Sequence, residues 1–330
     1  MIQILEGPSG SGKSYQLYQR MIEQSMAEPD RQFFLIVPEQ STMQAQRDVV
    51  TMHPKHGTMN IDIVSFNRLA YRVFEEQNIK VDHILEDFGK SMLLKRILLE
   101  YRKELPIFGP NVSRDGFLDE LKSLLTELFQ YRITEDRLQE VLDHFEADAY
   151  ESHGLLRQKL QDLLFVYRKF KEEIRDSYII AEHILEMLAS ILPQSDLLEG
   201  SVLFLDGYTG FTPIQYDLLE ALAQKTASLT ITITIDQASS LREELEEHEL
   251  FYLSKDTIRR IPPLGERLNI YVEEEFLSGK SPRFSDAPEL AFLEQNLFRY
   301  PYRVWNPDED TDRHDIHILV MKNTRQELQV

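Results

Sequence analysis

Residues Gly7-Pro8-Ser9-Gly10-Ser11-Gly12-Lys13-Ser14 have the spacing of a loop whose backbone N–H groups curl around phosphates, with a lysine and a serine following at once. Lys13 would reach the β- and γ-phosphates of a nucleoside triphosphate, and Ser14 would offer its hydroxyl to Mg²⁺. A helix beginning at Lys13 would aim its positive end at the same anion. A turn that only joins a strand to a helix requires neither three glycines nor the Lys-Ser pair. Such a site also needs a strand-end carboxylate on the metal side. Asp206, closing the apolar run Val202-Leu203-Phe204-Leu205, supplies it. The expected cofactors are therefore ATP and Mg²⁺, held by Gly7 to Ser14 and Asp206, with Ser14 and Asp206 on the metal.

The elements around this loop alternate. Residues 2–6 read as a short strand and 13–26 as a helix with Leu17, Met21 and Ile22 on one face. Residues 32–37 and 61–66 are two more strand-like runs, the second followed by a helix through Leu69, Ala70, Val73 and Phe74. From about 84 to 192 the texture becomes nearly continuous amphipathic helix, as in Leu118, Leu121, Leu125, Leu128. Strand character returns at 201–205 and 229–235, with a helix from Pro213 to Gln224 between them. The reading is an α/β, parallel-sheet P-loop domain over 1–83 and 196–330, interrupted by a helical insertion over 84–195. Residues 241–300 read as acidic helix, the pair Pro262-Pro263, a candidate strand at 268–273 and a helix at 288–298. A last strand at 316–320 and a helix start at 324–330 suggest a fragment of a longer protein.

Composition narrows the possible functions. Of 330 residues 42% are hydrophobic, enough for one large or two medium cores. No cysteine is present, which removes disulfides, thiolate metal sites and cysteine nucleophiles. His53 with His56, and His314 with His317, lack further ligands nearby and read as solvated side chains. Asp and Glu number 56 against 36 Lys and Arg, a net charge of −20. A free-standing nucleic-acid binder has the opposite balance, so any such role must use a local groove or a partner. The clusters 243–247 and Glu273-Glu274-Glu275 read as solvated faces. No apolar run is long enough for a membrane span and no signal segment opens the chain, which therefore reads as cytoplasmic.

In order, GPSGSGKS resembles motif I of a superfamily 1 helicase, FFLIVPEQST motif Ia, VSFNRLAYRVF the next single-strand-contact motif, LFLDGYTGFTPIQ motif II and TITIDQ motif III. The combination of VPEQ-x-T, SF-x-RLA-x-RV and LDG-Y-x-GFTP-x-Q is similar to the B subunit of AddAB-type helicase–nucleases, also called RexB. The resemblance covers most of the chain and is weakest over 241–310. It implies a RecA-like first motor domain with its helical subdomain 1B, acting in double-strand-break repair beside an AddA-type partner subunit. The second motor domain, opened by 315–330, and a nuclease domain with an iron–sulfur cluster would follow. It further implies that single-stranded DNA, including the Chi hotspot, is held by Gln40, Thr42, Phe66, Arg68, Tyr71 and Phe211. Family members often carry Trp where this chain has Tyr71. Helicases place a water-activating Glu after the motif II Asp, whereas this chain has Gly207. The resemblance thus implies nucleotide binding with a degenerate motor.

Aromatic faces that stack on bases and Arg or amide groups that read base edges suit that role. Phe66 and Tyr71 can equally be core aromatics and Arg68 a surface residue. An alternative is a P-loop kinase for small molecules or nucleotides, with the helical block as lid and Arg114, Arg132 and Arg137 as candidate phosphate ligands. A third reading is an acidic scaffold for a basic partner.

Overall fold

Strands such as Phe33-Phe34-Leu35-Ile36 are apolar at every position and must be covered on both faces. The computed structural model describes residues 1–57, 59–81, 84–147, 154–175, 178–236, 245–277, 281–306, 316–317 and 319–320, and in it those strands lie between two layers of helix. The chain begins β1 (Ile2–Gly7), α1 (Lys13–Ala27), β2 (Phe33–Ile36), α2 (Thr42–Met52), β3 (Ile61–Val64) and α3 (Phe66–Glu76). It continues β4 (Ile84–Leu85), α4 (Asp87–Glu100), α5 (Phe108–Asn111), α6 (Phe117–Gln130), α7 (Glu135–Ala147), α8 (Gly154–Arg175), β5 (Ile179–Ile180) and α9 (Ala181–Ile191). It then forms β6 (Val202–Leu205), α10 (Pro213–Lys225), β7 (Ser228–Thr234), α11 (Tyr252–Leu268), β8 (Val272–Phe276) and α12 (Pro288–Asn296).

Six strands form one sheet in the order β3-β2-β6-β7-β1-β8, and every ladder in it is parallel. Alternation along the strands divides their side chains between the faces. Phe33 and Leu35 join Val202 and Phe204 beneath α1 and α2, while Phe34 and Ile36 join Leu203 and Leu205 beneath α3, α9, α10 and α11. The strands β1, β6 and β7, far apart in sequence, are thereby brought within two positions of one another. β7 lies between the strand that leads into the glycine loop and the strand that ends at Asp206.

The helices α4 to α8 gather round a separate apolar cluster that includes Leu94, Ile97, Leu125 and Phe170. Entry and exit of this block lie side by side, because β4 pairs with β5 through Ile84 with Ile179 and Leu85 with Ile180. Helix α9 differs from the rest of the segment read as an insertion: its Ile184 and Leu188 are buried with the sheet cluster, against α3 and α10. Ionic contacts join the block to this layer, Arg132 with Glu186 on α9 at 3.5 Å among them. Arg132, just after α6, meets Asp217 on α10 at 2.5 Å, and Lys90 on α4 meets Glu182 on α9 at 2.9 and 3.0 Å.

Between 241 and 300 the sequence reading needs correction. Pro262-Pro263 does not break the chain but lies inside α11. Ile258, Ile261 and Leu264 are buried along one face of that helix, and this burial outweighs the backbone bonds the prolines forgo. The strand that follows is β8 at Val272–Phe276, later than the 268–273 expected. Within it Glu275 is not simply solvated, since Arg20 on α1 donates to both its carboxylate oxygens at 2.7 and 2.8 Å. Residues 316, 317, 319 and 320 are not in a strand. His314, Glu243, Glu244 and the helix start at 324–330 lie outside the described residues. His53, read as solvated, is buried, and its Nδ1 accepts the Lys55 N–H at 3.1 Å.

Lys90 and Glu182 are 5% and 7% exposed. Lys90→Met leaves the Glu182 carboxylate buried without its counter-charge and is expected to destabilise the chain by about 3–5 kcal/mol in urea unfolding. Lys90→Met with Glu182→Leu is expected to recover most of that loss. Equal midpoints for wild type and the single variant would show that the pair does not hold α4 to α9.

Candidate functional site

Because all six strands run the same way, the loops that leave their carboxyl ends emerge at one edge of the sheet. At this edge β1 gives way to the glycine loop. Gly10 and Gly12 have φ of 73° and 92°, in the left-handed region that glycine enters without steric cost. The loop closes through Ser11 N–H to Pro8 O at 3.2 Å and runs straight into α1. No side chain caps that helix and no acidic residue lies in its first turn, so its N–H groups keep their positive character.

Lys13 is 8% exposed and folds back over the loop, donating to Gly7 O at 2.8 Å and Pro8 O at 2.9 Å. Burial lowers its pKa to about 8; nearby Asp206 opposes that fall, the Arg283 charge adds to it and Glu294 opposes it. The hydroxyl of Ser11 is buried with no partner among the described residues.

Asp206 closes β6 and is 6% exposed. Three hydroxyls donate to it: Ser14 to Oδ1 at 3.0 Å, Thr232 to Oδ1 at 2.6 Å and Tyr18 to Oδ2 at 2.9 Å. Ser14 and Tyr18 come from consecutive turns of α1, and Thr232 from β7. The tyrosine's pKa is driven far above its ordinary value by burial first and then by the Asp206 charge and hydrogen bond. Ser14 and Asp206, 192 residues apart, are thus brought into direct contact. Gly207 follows with φ of 80°. A glutamate at this position would have to adopt a left-handed backbone, which costs an L-residue about 1–2 kcal/mol.

The loops after β2, β3 and β6 adjoin this cluster. Glu39, after β2, accepts hydrogen bonds from the Ser65 hydroxyl and, at 3.1 Å, from Arg68 Nε. The residues named for DNA separate by exposure. Gln40 is exposed, Arg68 has a side chain 59% exposed, and Tyr71 is 42% exposed with its ring edge-on to Phe74. Thr42, Phe66 and Phe211 are instead buried. Phe66 packs against Tyr208 at 5.4 Å, Tyr208 stacks on Phe211 at 5.3 Å, and Phe211 meets Tyr216 edge-on at 5.8 Å. Thr42 donates its hydroxyl to Glu39 O at 2.9 Å. The Thr-Pro-x-Gln part of the motif II-like run is a helix cap: Gln215 N–H donates to the Thr212 hydroxyl, and Gln215 Oε1 accepts the Thr212 N–H.

Two of the three arginines considered for a kinase lid are held in ion pairs elsewhere. Arg132 binds Glu186 and Asp217, Arg137 binds Glu140 in the next turn, and Arg114 lines a 510 Å³ groove inside the helical block.

A family model described as "ADDB, N-terminal" matches residues 4–294. The chain belongs to this ADDB N-terminal family. It is 43% identical over 327 residues, 98% of its length, to the B subunit of the ATP-dependent helicase/deoxyribonuclease of Lachnoclostridium phytofermentans. Proteins of the same description from Clostridium tetani and Alkaliphilus oremlandii are 32% and 31% identical over 92% of this chain. The chain spans about a quarter of the length of these relatives, 28%, 26% and 26% respectively.

Within this ADDB N-terminal chain, three residues of the site carry no local sequence signal. Tyr18 reads as one more residue on the apolar face of α1, and Thr232 as one of several threonines in an alternating strand. Glu6, immediately before the loop, reads as a break in an apolar run. Glu6 is 3% exposed, and its Oε1 has no hydrogen-bond partner among the described residues. Burial, assisted by the neighbouring Glu274 carboxylate, raises its pKa to about 7.

Glu6 therefore makes stability fall with pH in a defined window. Below about pH 4.5 the carboxyl is protonated in both the folded and the unfolded chain. Between there and about 7 only the unfolded state releases the proton, which removes on the order of 3 kcal/mol from the native state. Glu6→Gln is expected to abolish this slope, so that its thermal midpoint relative to wild type rises from pH 4.5 to 7 and is level above that. A midpoint difference independent of pH would show that Glu6 titrates normally.

Proposed function

We propose that this chain is the N-terminal, motor-like part of the B subunit of an ATP-dependent helicase/deoxyribonuclease, holding a nucleoside triphosphate with Mg²⁺ beside a track for single-stranded DNA. The observation that carries this reading is the contact of Ser14 with Asp206 beneath Lys13, at the end of a strand–glycine loop–helix unit. The residues fit a phosphate chain. A buried cation, the unpartnered Ser11 hydroxyl and an uncapped helix start face one loop of left-handed glycines.

In this reading 1–83 and 196–330 form a RecA-like domain of superfamily 1 helicase type, and 84–195 an inserted subdomain, with α9 packed on both. Loop N–H groups between Ser9 and Ser14 hold the phosphates, and Lys13 exchanges the Gly7 and Pro8 carbonyls for phosphate oxygens. Ser14 and Asp206 would hold Mg²⁺, which would supply positive charge to the phosphates. Tyr18 and Thr232 keep the Asp206 carboxylate aimed at the metal position. Gly207 offers no carboxylate to activate water, which makes this a site for binding rather than turnover.

Gln40, Arg68 and Tyr71 are the exposed contacts for single-stranded DNA and for reading the Chi sequence. Thr42, Phe66 and Phe211 shape the groove from beneath. An AddA-type partner subunit supplies the translocation.

Wild type is expected to bind Mg²⁺–ATP in calorimetry and Lys13→Ala to bind it at least tenfold more weakly. Affinity should also fall as pH rises through about 8, where Lys13 loses its charge. Steady ATP turnover stimulated by single-stranded DNA in this chain alone would overturn the degenerate-motor reading.

Tyr71→Ala should weaken binding to a labelled oligodeoxynucleotide by about 1–3 kcal/mol in fluorescence anisotropy and leave the unfolding midpoint nearly unchanged. Phe66→Ala should do the reverse first, destabilising the fold by about 3–5 kcal/mol as a core residue. Unchanged DNA binding in Gln40→Ala, Arg68→Ala and Tyr71→Ala alike would remove this surface as the DNA track.

A further inference from the structure

Helix α4, at the start of the helical block, is apolar on two sides. Leu93, Leu94, Ile97 and Leu98 fill the core of the block at helical spacing. The outward side carries Phe88, Met92 and Leu99, which are 76%, 60% and 50% exposed. At 3.6 residues per turn these three lie within an arc of about 40° and form a row about 16 Å long. Apolar side chains scattered singly over a surface need no explanation, but a row on one helix face marks a place where another molecule sits. A helix apolar on both sides belongs in an interior, and this one has only half of its interior in the chain.

The row is held on a fixed platform. Lys90 ties α4 to Glu182 on α9, Arg96 pairs with Glu173 on α8, and Lys122 on α6 meets Asp87 at 3.5 Å. Its charge is out of keeping with the molecule. Lys95 lies in the row between Met92 and Leu99, and Arg102 and Lys103 follow in the turn after the helix. All three are exposed in a chain of net charge −20, and none has an ion pair among the described residues, although Glu100 and Glu104 are close in sequence. An apolar centre with Phe and Met, beside unpaired cations, has the make-up of a protein–protein contact. A nucleic-acid backbone would engage the cations and leave the apolar row against phosphates.

We propose that the outward face of α4 docks another protein subunit, through a surface that is apolar at its centre and bears carboxylates opposite Lys95, Arg102 and Lys103. The inference rests on the reading of this chain as part of the B subunit of an assembly, which supplies the companion subunit. Complementary charge sets the orientation, and burial of Phe88, Met92 and Leu99 supplies the affinity.

The chain holds no cysteine, so Met92→Cys places one reporter thiol in the row. Its alkylation is read by mass spectrometry of the peptide that contains residue 92, in this chain, in the full-length B subunit and in that subunit with its companion. The thiol is expected to react equally in the first two and at least tenfold more slowly in the complex. Phe88→Ser with Leu99→Ser, and separately Lys95→Glu with Lys103→Glu, should each weaken binding of the companion subunit by about tenfold in surface plasmon resonance. Thermal midpoints should stay at the wild-type value, because all four side chains are exposed, and Lys95→Arg with Lys103→Arg should bind as wild type. A thiol already shielded in the full-length subunit assigns the row to that subunit's own remaining domains, and shielding that rises with its concentration alone assigns the row to a second copy. Either result overturns the proposal. So does loss of affinity for a labelled DNA duplex in Lys95→Glu with Lys103→Glu while companion binding is unchanged. A companion that binds and leaves the thiol reactive overturns this surface but not the assembly, whereas a companion that does not bind at all overturns the reading of the chain as its subunit.

Discussion

A buried carboxylate has to be satisfied, and Asp206 is satisfied by hydroxyls from two other elements. Ser14 and Tyr18 reach it from α1 and Thr232 from β7, so one charged group at the end of β6 holds the glycine loop, its helix and the central strand in register. A carboxyl group in so dry a place is tolerated only with such donors. This requirement joins residues 192 positions apart in sequence into one site. It also explains why the loop is held against the sheet rather than free at its edge.

The same strand end serves two neighbourhoods. On the β7 and β1 side of Asp206 lie Lys13, Ser14 and the helix start. Two residues later Tyr208 turns the other way, to pack between Phe66 and Phe211 beneath the loops of β2 and β3. Gly207 makes the change of direction with its left-handed backbone.

Electrostatics follow the same division between bulk and locality. The chain as a whole repels polyanions. At the sheet's carboxyl edge, however, Lys13 and Arg283 lie together at the glycine loop, and Arg68 is exposed nearby with only Glu39 as its partner. Acidic groups on β8 are partly neutralised by Arg20, which also fixes α1 to the edge strand that leads to the 281–284 turn.

Much of this architecture was legible in the chain itself. Runs such as Phe33 to Ile36 and Val202 to Leu205 can only be strands covered on both faces. The glycine spacing before Lys13 and Ser14 marks a loop between strand and helix, and Asp206 at a strand end could be singled out as the partner of Ser14. These signals are local, set by the period of the backbone and by residue type. The sequence could not announce that Tyr18 and Thr232 also converge on Asp206, that Phe211 lies in the core, or that the 281–284 turn comes to the loop from far beyond Gly10. Each depends on strand order, which places β7 and β8 on either side of β1 and so decides which distant side chains meet. Pro262-Pro263 lies within α11 for the same reason: burial of Ile258, Ile261 and Leu264 against the sheet overrules the local propensity of proline to end a helix.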